Sequence, residues 1–158
     1  MAKKGNKRAK TRAQPVPARR PKTAPQAAQS SQDSKPLFSF RYADRASKAT
    51  YGFKPAGDDA TALLDFMCDM AQSTWAEIEG MRTGGRKRHK KHHDQPIDSL
   101  AKNAQDHIGK HRLDEMFGDA IFRFRVSGET RLWGFRARRI FYVVWWDSKH
   151  HVCPTEKN

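Results

Sequence analysis

The chain has 158 residues, 37% hydrophobic and 30% charged, with 31 Lys+Arg against 17 Asp+Glu and a formal net charge of +14. That length fits one domain with one core and leaves little room for two. No apolar run is long enough for a membrane span, the first residues lack the apolar stretch of a secretory leader, and two cysteines, Cys68 and Cys153, do not make a disulfide framework, so a cytoplasmic, reducing setting is expected.

Residues 1–35 hold ten Lys/Arg, a single acid (Asp33) and almost no large apolar side chain. They bury too little surface to offset ordering entropy, so a disordered basic tail is expected, with a single α+β domain over 36–158. Leu37–Tyr42 alternates with period two, placing Phe38, Phe40 and Tyr42 on one face of a strand. Residues 49–53 are its expected hairpin partner across the polar turn 43–48. A helix follows Gly57, capped by Asp58 or Asp59, with Leu63, Leu64, Met67, Met70 and Ala71 at helical spacing. Thr74 to Glu77 has capping-box spacing and starts a second helical turn docked by Trp75 and Ile78. A polybasic loop is expected over 82–96, and then a third helix to about residue 111, capped by Asp98 or Ser99, with Leu100, Ala104 and Ile108 as its stripe.

The last third carries the clearest pattern. Ile121–Val126 alternates Phe122, Phe124 and Val126 against Arg123 and Arg125; Ser127-Gly128-Glu129 turns, with Gly128 free to take positive φ; Arg131–Arg136 is a strand; residues 137–139 turn again. Ile140–Asp147 is apolar on both faces, the mark of an interior strand. The expected fold is α+β: an antiparallel sheet with a C-terminal three-stranded meander and helices on one face.

The excess charge points to a polyanionic partner, because basic segments bind nucleic acid through counterion release. Lys3, Lys4, Lys7, Arg8, Lys10 and Arg12 in the tail, Arg86, Lys87, Arg88, Lys90 and Lys91 in the loop, and Arg125, Arg136, Arg138 and Arg139 in the meander are the expected nucleic-acid contacts. An anionic membrane is disfavoured, since the tail has nothing apolar to insert. Arg123 and Arg131 suit a phosphate through their planar forks, and His150, past the last strand, suits proton transfer at neutral pH. Those are the components for cleaving RNA through its own 2′-hydroxyl. The same residues also fit a solvated sheet face. His89, His92, His93 and Asp94 lie among too many cations to hold a dication, so no metal or cofactor is expected.

The run Phe122-Arg-Phe-Arg-Val-Ser-Gly-Glu-Thr-Arg131-Leu-Trp, followed by Ile140–Trp146 and His150, resembles the RelE/YoeB superfamily of small bacterial toxins, which are messenger-RNA endonucleases. The likeness spans about residues 98–153. It implies that Arg131 contacts the scissile phosphate and that His150, or His151 next to it, acts as the acid. The family's acidic base falls nearest Glu115 or Asp119. It also implies RNA or the ribosome as partner and a small antitoxin-type protein as a second. The Phe-Ser-Phe-Arg-Tyr, Thr-Trp-Ala-Glu-Ile and Trp-Trp-Asp-Ser-Lys-His segments resemble small prokaryotic and phage proteins without assigned activity, which implies a bacterial or phage cytoplasm. The alternatives are a non-catalytic nucleic-acid- or protein-binding accessory, and a module whose tail docks an acidic protein.

Overall fold

The computed structural model describes residues 31–154. The expected tail contacts from Lys3 to Arg12 lie outside the described residues. Five strands form one sheet in the order β1-β5-β4-β3-β2: β1 Leu37–Ser39, β2 His93–Pro96, β3 Ala120–Arg125, β4 Arg131–Ala137 and β5 Ile140–Asp147. β1 runs parallel to β5, and every other pairing is antiparallel. Helices α1 (Asp58–Met70) and α2 (Trp75–Gly80) precede β2, and α3 (Lys102–Lys110) and α4 (Leu113–Phe117) precede β3. No described helix is long and apolar enough to cross a membrane.

The helices cover both faces of the sheet, not one. Leu63, Phe66 and Met70 of α1, with Trp75 and Ile78 of α2, pack on Phe122, Phe124, Leu132, Phe141, Val143 and Trp146. Ala104 and Ile108 of α3, with Leu113 of α4, pack on Ile121, Trp133, Phe135, Val144 and Trp145. The meander strands are apolar on both sides, so each side needs its own cover. On α1, Leu64 is exposed while Phe66 takes the core position.

A bulge in β5 explains how its apolar residues divide. Trp133 pairs with Trp145 while Gly134 pairs with Val143, so Val144 is an extra residue. Val144 and Trp145 therefore share one face, and Trp146 moves to the other. Strict alternation would put both tryptophans on the opposite faces.

Other local expectations are corrected. Residues 49–53 form no strand; Tyr51 turns into the core, edge-on to Trp145 at 5.4 Å. The polar stretch before it wraps the Asp44 carboxylate, which accepts from Ser47 N at 2.9 Å, the local bond that diverts Asp-rich segments from strands. β1 ends at Ser39, and Ala43 N bonds Phe40 O to begin a turn. The fold begins before Pro36: Gln32 O and Ser34 O accept from Ala76 N and Trp75 N at the start of α2. Neither Asp58 nor Asp59 caps α1, whose N-cap is Gly57; both sit in its first turn, where negative charge complements the helix dipole. Asp98 and Ser99 lie in a 3-10 turn, and α3 starts from Ala101. The 82–96 loop ends in β2, an edge strand paired with β3.

The expected capping box is present. Thr74 Oγ1 accepts from Glu77 N, and the Glu77 carboxylate accepts from Thr74 N at 2.7 Å. These bonds hold the Glu77 carboxyl below its ordinary range. Thr74→Ala is expected to cost about 1 kcal/mol of stability, read from urea denaturation midpoints, while Thr74→Ser costs a fraction of that.

Candidate nucleic-acid interface

β3 runs toward Arg125 and β4 starts at Arg131, so the β3–β4 turn gathers one group of arginines at one end of the sheet. Arg125 pairs in register with Arg131, and Arg123 with Trp133. Residues 123, 125, 131 and 147 thus fall on one face by alternation. β5 ends at the same place, where Asp147 is opposite Arg131. The structure therefore brings together Arg123, Arg125, Arg131 and the segment carrying His150.

Arg131 is buried, 5% exposed, and its Nη1 donates to the carbonyls of Ser127, Gly128 and Thr130, each at 3.0 Å. It pins the turn that Gly128 was expected to make; Gly128 does not take positive φ. Burial pushes the Arg131 pKa down to about 10, with Arg123 and Arg125 adding to the effect, so it is still a cation at neutral pH. Burial likewise lowers the Arg123 pKa. None of the three arginines has an ion pair among the described residues. Asp147 and Glu129 partly offset the charge of Arg131, while Arg123 and Arg125 have no carboxylate within ion-pair distance among the described residues.

Two histidines that sequence reasoning set aside with the loop complete this end. His93 on β2 pairs in register with Arg123, whose Nη2 lies 2.7 Å from His93 Nε2. An arginine only donates, so His93 Nε2 accepts and its Nδ1 carries the proton toward the Asp94 carbonyl, 2.7 Å away. His92 points to the opposite face. It is 0% exposed, packs against Phe66 and Phe124, and accepts from Arg125 N at 3.1 Å. Burial drives its pKa down to about 4, with Lys91, His93 and Arg123 contributing. His92 turns in against Phe66 and Phe124 while His93 turns to Arg123, so the two rings do not share one metal site. The period-two pattern around residues 92–96 was the available signal, but it is short and masked by the charge run.

Asp147 caps the segment after β5. Its oxygens accept from Lys149 N at 3.4 Å, His151 N at 2.8 Å and Val152 N at 2.9 Å. That bend holds His150 at φ 61, with its Nδ1 buried and unpartnered. His151 points away, to Thr50 Oγ1 at 2.8 Å.

The loop residues Arg86, Lys87, Arg88 and Lys90 are exposed and Lys91 is half-buried. They form a small hairpin closed by the Arg82–Lys90 bridge and leading into β2. Because Arg125 N bonds His92, this hairpin emerges beside Arg125 and extends the basic surface. Arg136, Arg138 and Arg139 lie at the other end of the sheet. Arg136 stacks over Trp75 at 4.2 Å and pairs with Glu79, Arg138 takes the left-handed turn position, and the Arg139 carbonyl accepts from Leu37 N and Trp75 Nε1. Asp119 stands just before β3, some 20 Å from Arg125 at ~3.3 Å per strand residue, and Glu115 lies in α4. Glu115 is paired with Arg112.

Comparison with protein-family models, with curated proteins and with solved structures finds no match to this chain.

Proposed function

We propose that this chain is an RNA-binding protein that grips the phosphate backbone with Arg123, Arg125 and the 86–91 hairpin. One observation carries the reading: Arg123 and Arg125, neither in an ion pair among the described residues, stand together beside a hairpin of exposed lysines and arginines. Arg131 serves by holding the turn, since its Nη1 is spent on three carbonyls. The basic residues before the described region add sequence-independent, salt-sensitive affinity.

Arg125→Ala is expected to weaken binding of a single-stranded oligoribonucleotide about tenfold. The slope of log affinity against log salt should fall by about 0.7, the share of one phosphate contact on a single strand. Equal affinity and equal slope in wild type and variant would show that RNA docks elsewhere.

RelE-like cleavage at the same face is the second reading, and His150 favours it. Its ring stands at the arginine end with Nδ1 buried, so Nε2 is the edge that would protonate a leaving 5′-oxygen while the 2′-oxygen closes on phosphorus. Asp119 lies at the far end of β3 and Glu115 is engaged by Arg112, so this reading takes a different group as the acceptor of the 2′-proton. Messenger RNA fragmented by the wild type and intact with His150→Ala supports cleavage; intact RNA with both leaves binding alone.

A further inference from the structure

A second cluster of titratable groups lies where the 41–51 segment crosses α3, along the β5 side of the sheet and across from the β2 edge that carries the basic hairpin. Asp44 is 6% exposed and anchored from several sides: Oδ1 accepts from Ser47 N, Oδ2 from Trp145 Nε1 at 3.3 Å, its backbone N–H bonds Val144 O and its carbonyl accepts from Phe53 N. His107 of α3 brings Nδ1 to 3.5 Å from Asp44 Oδ2 and packs against Trp145. The Asp44 side thus occupies the Nδ1 edge, leaving Nε2 as the ring nitrogen for an outside partner.

Two adjoining hollows, of about 210 Å³ and about 430 Å³, meet over this pair; both are lined by Asp44, Ala46, His107 and His111. Arg41 and Arg45 stand at one rim and Lys110 at the other, none in an ion pair among the described residues, while Asp106 on the same side is neutralised by Lys102. Tyr42 stands in the same wall, packed against Phe117 and Tyr142, with the Arg41 guanidinium 5.5 Å from its ring centre. The cleft has cations at the mouth, a flat ring on one side and a carboxylate-held imidazole at its floor.

We propose that this cleft binds a phosphate-bearing ligand of mononucleotide size, its phosphate met by Arg41, Arg45 and the Nε2 edge of His107, its base lying along Tyr42. The chemistry is shared by a free nucleoside monophosphate and by the phosphorylated end of an RNA chain. The site does not depend on the arginine face.

Protonation of His107 is part of the recognition, since imidazolium Nε2–H donates to a phosphate oxygen. Facing the ring are Asp44 from the crossing segment, His111 and Lys110 from its own helix, and Arg41 and Arg45 from the rim. Burial lowers the His107 pKa, Asp44 opposes that, and His111 and Lys110 reinforce it. A bound dianion raises it again, so affinity strengthens as pH falls through the pKa of the bound imidazole.

The test uses the full chain carrying Arg125→Ala, which weakens anion binding at the arginine end, and it reads His107 and His111, whose shifts report this cleft. The histidine ring proton signals are followed in titrations with adenosine 5′-monophosphate, inorganic phosphate and a 5′-phosphorylated tetraribonucleotide. Saturable shifts of His107 and His111 are expected. Arg45→Ala should weaken binding about tenfold, and His107→Gln should weaken it and flatten its pH dependence. Binding of the monophosphate identifies a free nucleotide as the ligand; binding of the tetranucleotide alone identifies an RNA end. Three results would each overturn the proposal: no saturable shift at millimolar ligand, inorganic phosphate binding as well as the monophosphate, or affinity unchanged in both variants. Arg45 is exposed, so its replacement leaves the fold in place.

Discussion

Gly134→Ala is expected to destabilise the protein by about 3 kcal/mol or more, among the largest losses a single methyl group can cause. Gly134 lies in β4 opposite Val143, where the β5 bulge brings the neighbouring strand unusually close. A Cβ there would press into the Tyr142 carbonyl oxygen and come within 2.7 Å of Phe141 Cζ. The carbonyl belongs to a backbone held on both sides, by β4 and by β1, so it has no room to retreat. The ring belongs to a residue shared by the aromatic cluster of Phe38, Phe122 and Phe124. Gly109→Ala is the matched control. Nothing lies within 4 Å of a Cβ at that helical position, so the change should add about 0.5–1 kcal/mol. Urea midpoints of the two variants should move in opposite directions. A Gly134→Ala protein as stable as the wild type would contradict the close approach.

The second large effect is an acid transition set by His92. Its folded pKa of about 4 lies below its ordinary value of 6.5. Between those values the unfolded chain takes up a proton that the folded chain refuses, so stability falls as pH falls. The contribution is complete above pH 6.5 and is lost progressively toward pH 4. At about 1.4 kcal/mol per pH unit, the loss is about 3 kcal/mol across the window. His107, lowered in the same direction, adds to the slope. His92→Asn keeps an acceptor for Arg125 N–H and removes the titration. That variant should start less stable at pH 7 and change less between pH 6.5 and 4. Chemical denaturation at closely spaced pH values reads both slopes, and equal slopes would remove His92 as the cause.

Much of the fold was legible because its signals are local. Period two in Ile121–Val126 and the Thr74–Glu77 spacing each encode a structure that needs no distant partner to be recognised. The β5 bulge was hidden because one extra residue inside an all-apolar strand leaves the composition of both faces unchanged. Both-sided helix cover was implied by that same strand, whose two apolar faces each require burial, and reading α1 through α4 as one layer missed it. The edge strand β2 was obscured by the lysines and arginines before it. At the arginine end, Arg123, Arg125, Arg131 and His150 were grouped by the meander itself. His93 joined them only through strand pairing across some 30 residues. The Asp44–His107 pair had no sequence signature, since contact between a turn and a distant helix leaves no periodic trace.

Parallel pairing of β1 with β5 ties Leu37 to Ile140, about 100 residues later. A three-residue strand cannot hold itself in place, so β1 waits for the end of the chain before it has a partner. Closing so long a loop costs entropy that neighbouring contacts must offset, and chains with such distant contacts fold slowly. During synthesis the helices α1 and α2 emerge well before the strands they cover. Their apolar stripes stay uncovered until β3, β4 and β5 arrive, and the first strand made is the last to be seated.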